Sequence, residues 1–215
     1  MKEIKVNFKM AENLLQEGDV LLFRSNSIIS FFIQRATEGQ YSHVGLASSH
    51  GDNGGKIWEC VEFREGYGGR TINLERYIQD YTNDNSFIDV YRASKYKKIY
   101  VYNKDYQKIE EQTIAVDNKI ITNTMRKMTG LPYGWKRIAW IAQHKIPFLR
   151  LLYSMDSLVD DNNLDDFIYP VCSTAVAYSF SKTGYDLVNH RSDEATSPAD
   201  IARSPLLSYI FTLSK

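Results

Sequence analysis

Two rhythms of apolar and polar positions run along the chain. Val20 to Phe23 is a short apolar run behind Gly18 and Asp19 and reads as a buried strand, with Ala11 to Gln16 before it as a short helix or turn. From Ile28 to Ala36 the residues Ile28, Ile29, Phe32 and Ile33 recur at helical spacing behind the capping cluster Ser25, Asn26 and Ser27, which predicts a short amphipathic helix before Gly39. Tyr41 to Ala47 and Ile57 to Phe63 are strand-like, and the loop Ser48 to Gly55 between them carries the Gly, Asn and Asp that suit a hairpin, so the two are expected to pair antiparallel. Phe87 to Arg92 alternates as a further strand, and Ile99 to Tyr102 is expected near a sheet edge.

The second half changes rhythm. Ile114 to Met128 carries Ile120, Ile121, Thr124, Met125 and Met128 on one side and stops at Gly130 before Pro132, which is helix punctuation. Trp135 to Leu158 is aromatic and aliphatic with Pro147 in its middle and leads into the acidic stretch Asp160 to Asp166, so two helical pieces and an exposed loop are expected. Pro170 to Ser181 reads as a helix ending near Gly184, with Pro170 at its first position, Cys172 in its first turn, and the small residues Ser173, Thr174, Ala175 and Ala177 permitting close approach to a sheet. The sum is a single α+β domain over residues 1–215, a mostly antiparallel sheet or small barrel packed against helices.

Composition narrows the function classes. Lys plus Arg and Asp plus Glu both count 26, so no basic field argues for nucleic acid. The Lys and Tyr mixture from Lys95 to Lys108 is interrupted by Asp105 and reads as a solvated edge. The N-terminal residues lack the continuous apolar core of a signal peptide, no stretch approaches the roughly 18 apolar residues that span a bilayer, and two cysteines make one disulfide at most. A reducing, cytoplasmic setting is the expectation. Asp161, Asn163 and Asp165 lead to Asp166 where a calcium loop requires glycine, and the cysteine spacing suggests no metal site, so neither metal nor cofactor is expected.

Cys172 carries the candidate chemistry. A thiol attacks as thiolate, and its free pKa of about 8.5 leaves little anion at neutral pH. A helix N-terminus favours the anion through its N–H groups and dipole, and an imidazole that takes and returns the proton supplies the rest. Among the four histidines, His43 lies in a strand whose alternation puts His43, Gly45 and Ala47 on one small-residue face, onto which the Cys172 helix is expected to pack. His50 falls in the glycine-rich loop, His144 on a basic flank and His190 in a polar segment. Pairing across the hairpin brings residues from about 59 to 62 opposite His43, so both Glu59 and Glu62 qualify as the carboxylate that orients the ring; they point to opposite faces, and register excludes one. Cys60, between Glu59 and Val61, reads as core.

These elements in order resemble a family: Gly18 to Phe23, Tyr41 to Leu46, Trp58 to Cys60, Gly130 to Tyr133, and Val171 to Thr174. They are similar to the circularly permuted papain-like cysteine hydrolases, and in particular to the YiiX-like branch of the NlpC superfamily, over residues from about 15 to 205. The resemblance implies a permuted papain-like fold with Cys172 as nucleophile, His43 as base and Glu59 as orienting residue. It places Tyr133 near the cleft and Ser173 as the small polar residue after the nucleophile. Apart from the resemblance, Tyr41 and Tyr169 are candidates for a second oxyanion donor beside the Cys172 backbone N–H. It implies peptide or cell-wall-type amide substrates, with lipid acyl transfer or a non-catalytic binding module as alternatives. Residues from about 135 to 168 exceed the family core and are expected to form an insertion that covers the cleft.

Overall fold

A computed structural model describes residues 3–25, 28–52, 55–81, 86–103, 107–134, 170–189 and 192–215. Its main sheet has seven strands: Lys5–Asn7 (β1), Val20–Arg24 (β2), His43–Asp52 (β3), Gly55–Arg64 (β4), Gly68–Asn73 (β5), Phe87–Ala93 (β6) and Leu207–Ser214 (β9). The order is β1-β9-β6-β2-β3-β4-β5, and every neighbouring pair is antiparallel except β1 with β9. Tyr96–Asn103 (β7) and Lys108–Ala115 (β8) form a separate two-stranded ribbon. The Ile99 to Tyr102 run is thus a strand, but it pairs with β8 rather than edging the main sheet. The expected loop Ser48 to Gly55 is also mostly strand, because Ser48 to Asp52 keep their pairing with Glu59 to Gly55.

The helices are Phe8–Ala11 (α1), Ile28–Ala36 (α2), Leu74–Tyr81 (α3), Asn118–Lys127 (α4), Cys172–Ser181 (α5) and Pro198–Ala202 (α6). Both faces of the sheet are covered, and strand alternation divides the core into two layers. Val20, Leu22, Val44, Leu46, Val61 and Phe63 face α4 and α5, and Leu21, Phe23, Ala47, Trp58 and Cys60 face α1 and α3. β2 is apolar throughout because both its faces are buried, with Val20 to Phe23 fully inaccessible. α4 begins later than the apolar spacing predicts: Asp117 caps it by accepting from the Ile120 N–H at 3.0 Å, and Ile114 belongs to β8. The segment Trp135 to Asp166, Tyr169 and His190 lie outside the described residues.

Candidate active site

Cys172 is the first helical residue of α5, behind Val171 as N-cap; Pro170 lies just before that cap, outside the helix and not at its first position. Val171 has no side chain to occupy the first-turn donors, so they stay available to the sulfur. The Ser173 N–H and, from β3, the Val44 N–H hydrogen-bond Cys172, and His43 does so through its side chain. Burial works against the thiolate, yet the charge of His43 and these donors together hold the Cys172 pKa below its ordinary value. The thiol and the imidazole, separated by more than a hundred positions of chain, meet.

They meet differently from the sequence-based picture. α5 packs on the Val44 and Leu46 side, not on the face that His43 shares with Gly45 and Ala47. His43 is the first residue of β3, so its ring stands at the end of the sheet, where it touches groups of both layers. Phe23 stacks on it at 4.9 Å between centroids, and Nε2 lies 2.6 Å from Glu62 Oε2, which leaves Nδ1 for the thiol. Burial opposes the charged ring, but the Cys172 and Glu62 charges prevail and raise its pKa to about 9. Gly45 serves the other layer: a Cβ there would come within 2.8 Å of Cys60 Sγ and 3.2 Å of Glu62 Cβ.

The carboxylate beside His43 is Glu62 and not the expected Glu59. Register decides it: Gly45 pairs with Glu62, so Glu62 shares the His43 face, whereas Glu59 pairs with Ser48 on the opposite face. There Glu59 accepts from Arg126 at 2.5 Å and lies 3.2 Å from His50 Nδ1. Glu62 is fully buried and saturated. Its Oε1 takes Arg70 Nη2 at 2.6 Å and Nε at 2.8 Å, and its Oε2 takes the Tyr77 hydroxyl at 2.9 Å besides His43. Burial would raise its pKa, but His43 and then Arg70 and Arg64 outweigh that and lower it to about 2.

The other named residues separate. Tyr133 lines a cleft of about 330 Å³ together with His43, and its hydroxyl bonds Cys172; burial and the Cys172 charge push its pKa up, so it keeps its proton and can donate. Ser173 turns inward and donates to the Thr196 carbonyl at 2.6 Å, so its hydroxyl anchors the start of α5, and only its backbone N–H serves the sulfur. Tyr41 is buried with its hydroxyl donating to Asp89 at 2.9 Å and 3.0 Å from the Tyr91 hydroxyl, so it is a strut of the core rather than a cleft donor. Sequence reasoning missed Arg64, Arg70 and Tyr77, although all three follow Glu62 within fifteen residues, at the end of β4, on β5 and on α3.

No family model matches the chain, and no curated protein matches it in sequence. Among solved structures it is similar to the crystal structure of metalloprotein yiiX from Escherichia coli O157:H7. The TM-score is 0.55 over 93% of this chain and 98% of that chain, at 14% identity. The fold is therefore YiiX-like α+β. Among the described residues, no helix is long and apolar enough to cross a membrane.

Proposed function

We propose that this chain is a thiol-dependent hydrolase of amide bonds. The observation that carries the reading is the unbroken series of buried groups from the Cys172 thiol through His43 to a Glu62 fixed by Arg70 and Tyr77. The lowered Cys172 pKa and the raised His43 pKa both bias the pair towards thiolate and imidazolium, the form that attacks. The sulfur attacks the acyl carbon, and its electron pair forms the S–C bond as the carbonyl π pair moves to oxygen. The Cys172 N–H at the helix start and the Tyr133 hydroxyl are the donors for that oxygen. Collapse breaks the C–N bond, and His43 gives its proton to the leaving nitrogen. The neutral ring then takes a proton from water, which attacks the thioester, and the acid leaves as the thiolate and imidazolium are restored.

The similar E. coli protein is described as a metalloprotein. Among the described residues no group of three or more His, Cys, Asp or Glu side chains is disposed to hold a metal ion, and both Glu62 oxygens are already engaged. The donors here do not fit a metal, and no step above runs through one. Peptide or cell-wall-type amides are the proposed substrates.

The test is alkylation by iodoacetamide. Cys172 is expected to react with a rate that titrates below the ordinary thiol range, while Cys60, whose pKa burial and the Glu62 charge push up, stays inert in the folded chain. Equal labelling of the two thiols would favour a binding module. Cys172→Ala is expected to abolish amide turnover, by at least about 10³-fold.

A further inference from the structure

We infer that Arg64 forms a carboxylate-binding subsite beside the thiol, so that the substrate carries a carboxylate close to its scissile bond; this rests on the hydrolase reading above. Arg64 lies two residues beyond Glu62 on β4, so alternation puts it on the face that Glu62 shares with His43. Both residues line the 330 Å³ cleft. The guanidinium lies 5.8 Å from the centre of the Tyr77 ring and 5.6 Å from that of Tyr81, and its Nη1 donates to the Tyr77 hydroxyl at 2.5 Å. The two rings and the Tyr77 hydroxyl thus hold the guanidinium in place before any ligand arrives, which cuts the ordering cost of binding.

Among the described residues Arg64 has no carboxylate in direct ion-pair contact, although it shares the field of Glu62. Glu62 is held directly by Arg70, and Arg64 reaches it only through the Tyr77 hydroxyl. Among the described residues the Arg64 Nε and Nη2 make no hydrogen bond. A partly desolvated guanidinium with a free Nε and Nη2 edge matches a carboxylate, whose two oxygens take parallel N–H bonds. Glu65 also lines the cleft and its charge acts on Tyr133, so a doubly charged phosphate is repelled more strongly than a single carboxylate. Ser25, Ser30 and Ser42 complete the walls without adding charge.

The experiment compares the alkylation of Cys172 by iodoacetate and by iodoacetamide in the full chain. The ratio of the two rates in the folded protein is expected to exceed the ratio for the same thiol in urea by roughly tenfold or more. Arg64→Gln should return the ratio to the unfolded value, and Arg64→Lys, which keeps the charge but loses the fork, should fall between; because Arg64 also acts on Glu62 and Tyr77, the ratio of the two reagents is the readout rather than either rate alone. A ratio indifferent to Arg64→Gln overturns the subsite, as does an equal fall with both reagents, which would make Arg64 a support for Tyr77 only. A wild-type Cys172 inert to both reagents would instead remove the hydrolase reading itself. Should the variant not fold, the wild type still decides: N-acetyl-dialanine with a free carboxylate should protect Cys172 from iodoacetamide at roughly tenfold lower concentration than its C-terminal amide. Equal protection, or none, overturns the proposal.

Discussion

Glu62 shows how one buried charge is made tolerable. An isolated carboxylate at that depth would take up a proton, but two nitrogens of Arg70, the Tyr77 hydroxyl and the His43 ring occupy its oxygens and keep it ionised. Glu62→Gln removes the charge yet keeps the shape. It is expected to lower amide turnover by roughly 10²-fold or more through loss of ring orientation, and to cost on the order of 2–3 kcal/mol as Arg70 loses its partner. Glu59→Gln, on the other face with Arg126 and His50, should leave turnover unchanged, and assaying the two variants side by side checks the assignment. At Gly45 the nearest obstacle to a side chain is Cys60 Sγ. Gly45→Ala should therefore destabilise the fold by about 1–3 kcal/mol, and adding Cys60→Ala should restore part of that, which a double-mutant cycle on thermal unfolding would measure.

At the scale of elements, α5 and β3 divide the labour. α5 offers a helix start with no capping side chain, and β3 offers both the imidazole and a backbone N–H at the strand end that faces it. Such a site needs a rigid scaffold. β2 and β3 lie in the middle of the seven-stranded order with cores on both faces, whereas β7 and β8 pair only with each other. The ribbon exposes Tyr96, Tyr100 and Ile109 at 65%, 70% and 70%, and its anchors include Lys97 donating to the Asp186 carbonyl and to Asn189. Amide hydrogen exchange is expected to be slowest in β2 and β3 and to approach the local-opening limit in β7 and β8. Equal protection of ribbon and sheet would show that the ribbon opens only with global unfolding.

For the whole molecule the site groups tie activity and stability to pH. Glu62, with its folded pKa lowered to about 2, contributes stability that is complete above the ordinary carboxylate value and is lost as pH falls towards 2. His43, raised to about 9, contributes stability that is complete below its ordinary value of 6.5 and is lost as pH rises through 9. Thermal midpoints measured from pH 2 to 10 should thus fall on both sides, and His43→Ala should flatten the alkaline limb. Amide turnover should follow a bell whose upper limb near pH 9 reports loss of the imidazolium that protonates the leaving nitrogen, while alkylation, which needs only the thiolate, should continue above it.

Much of this was legible in the chain. The continuous apolar run Val20 to Phe23 marks β2, the strand-like runs at 41–47, 57–63 and 87–92 mark β3, β4 and β6, the 3.6-residue spacing marks α2 over its full span, and Cys172 falls in the first turn of its helix as expected, because such local patterns report which face of an element is buried. β5, β9 and α3 were not legible: β5 is an edge strand, α3 has a mixed polar surface, and β9 owes its strand character to pairing with β1 and β6 on its two sides rather than to a clean apolar rhythm. The pairing of Cys172 with His43 followed from the order of motifs. Which glutamate completes the set did not, because a one-residue change of register exchanges the two faces of β4, and only the assembled sheet sets Glu62 beside Gly45 and turns Glu59 towards Arg126. The side of the sheet that α5 covers was likewise a tertiary decision: small residues permitted close packing on one face, but the apolar volume of Val44, Leu46 and Val61 drew the helix to the other.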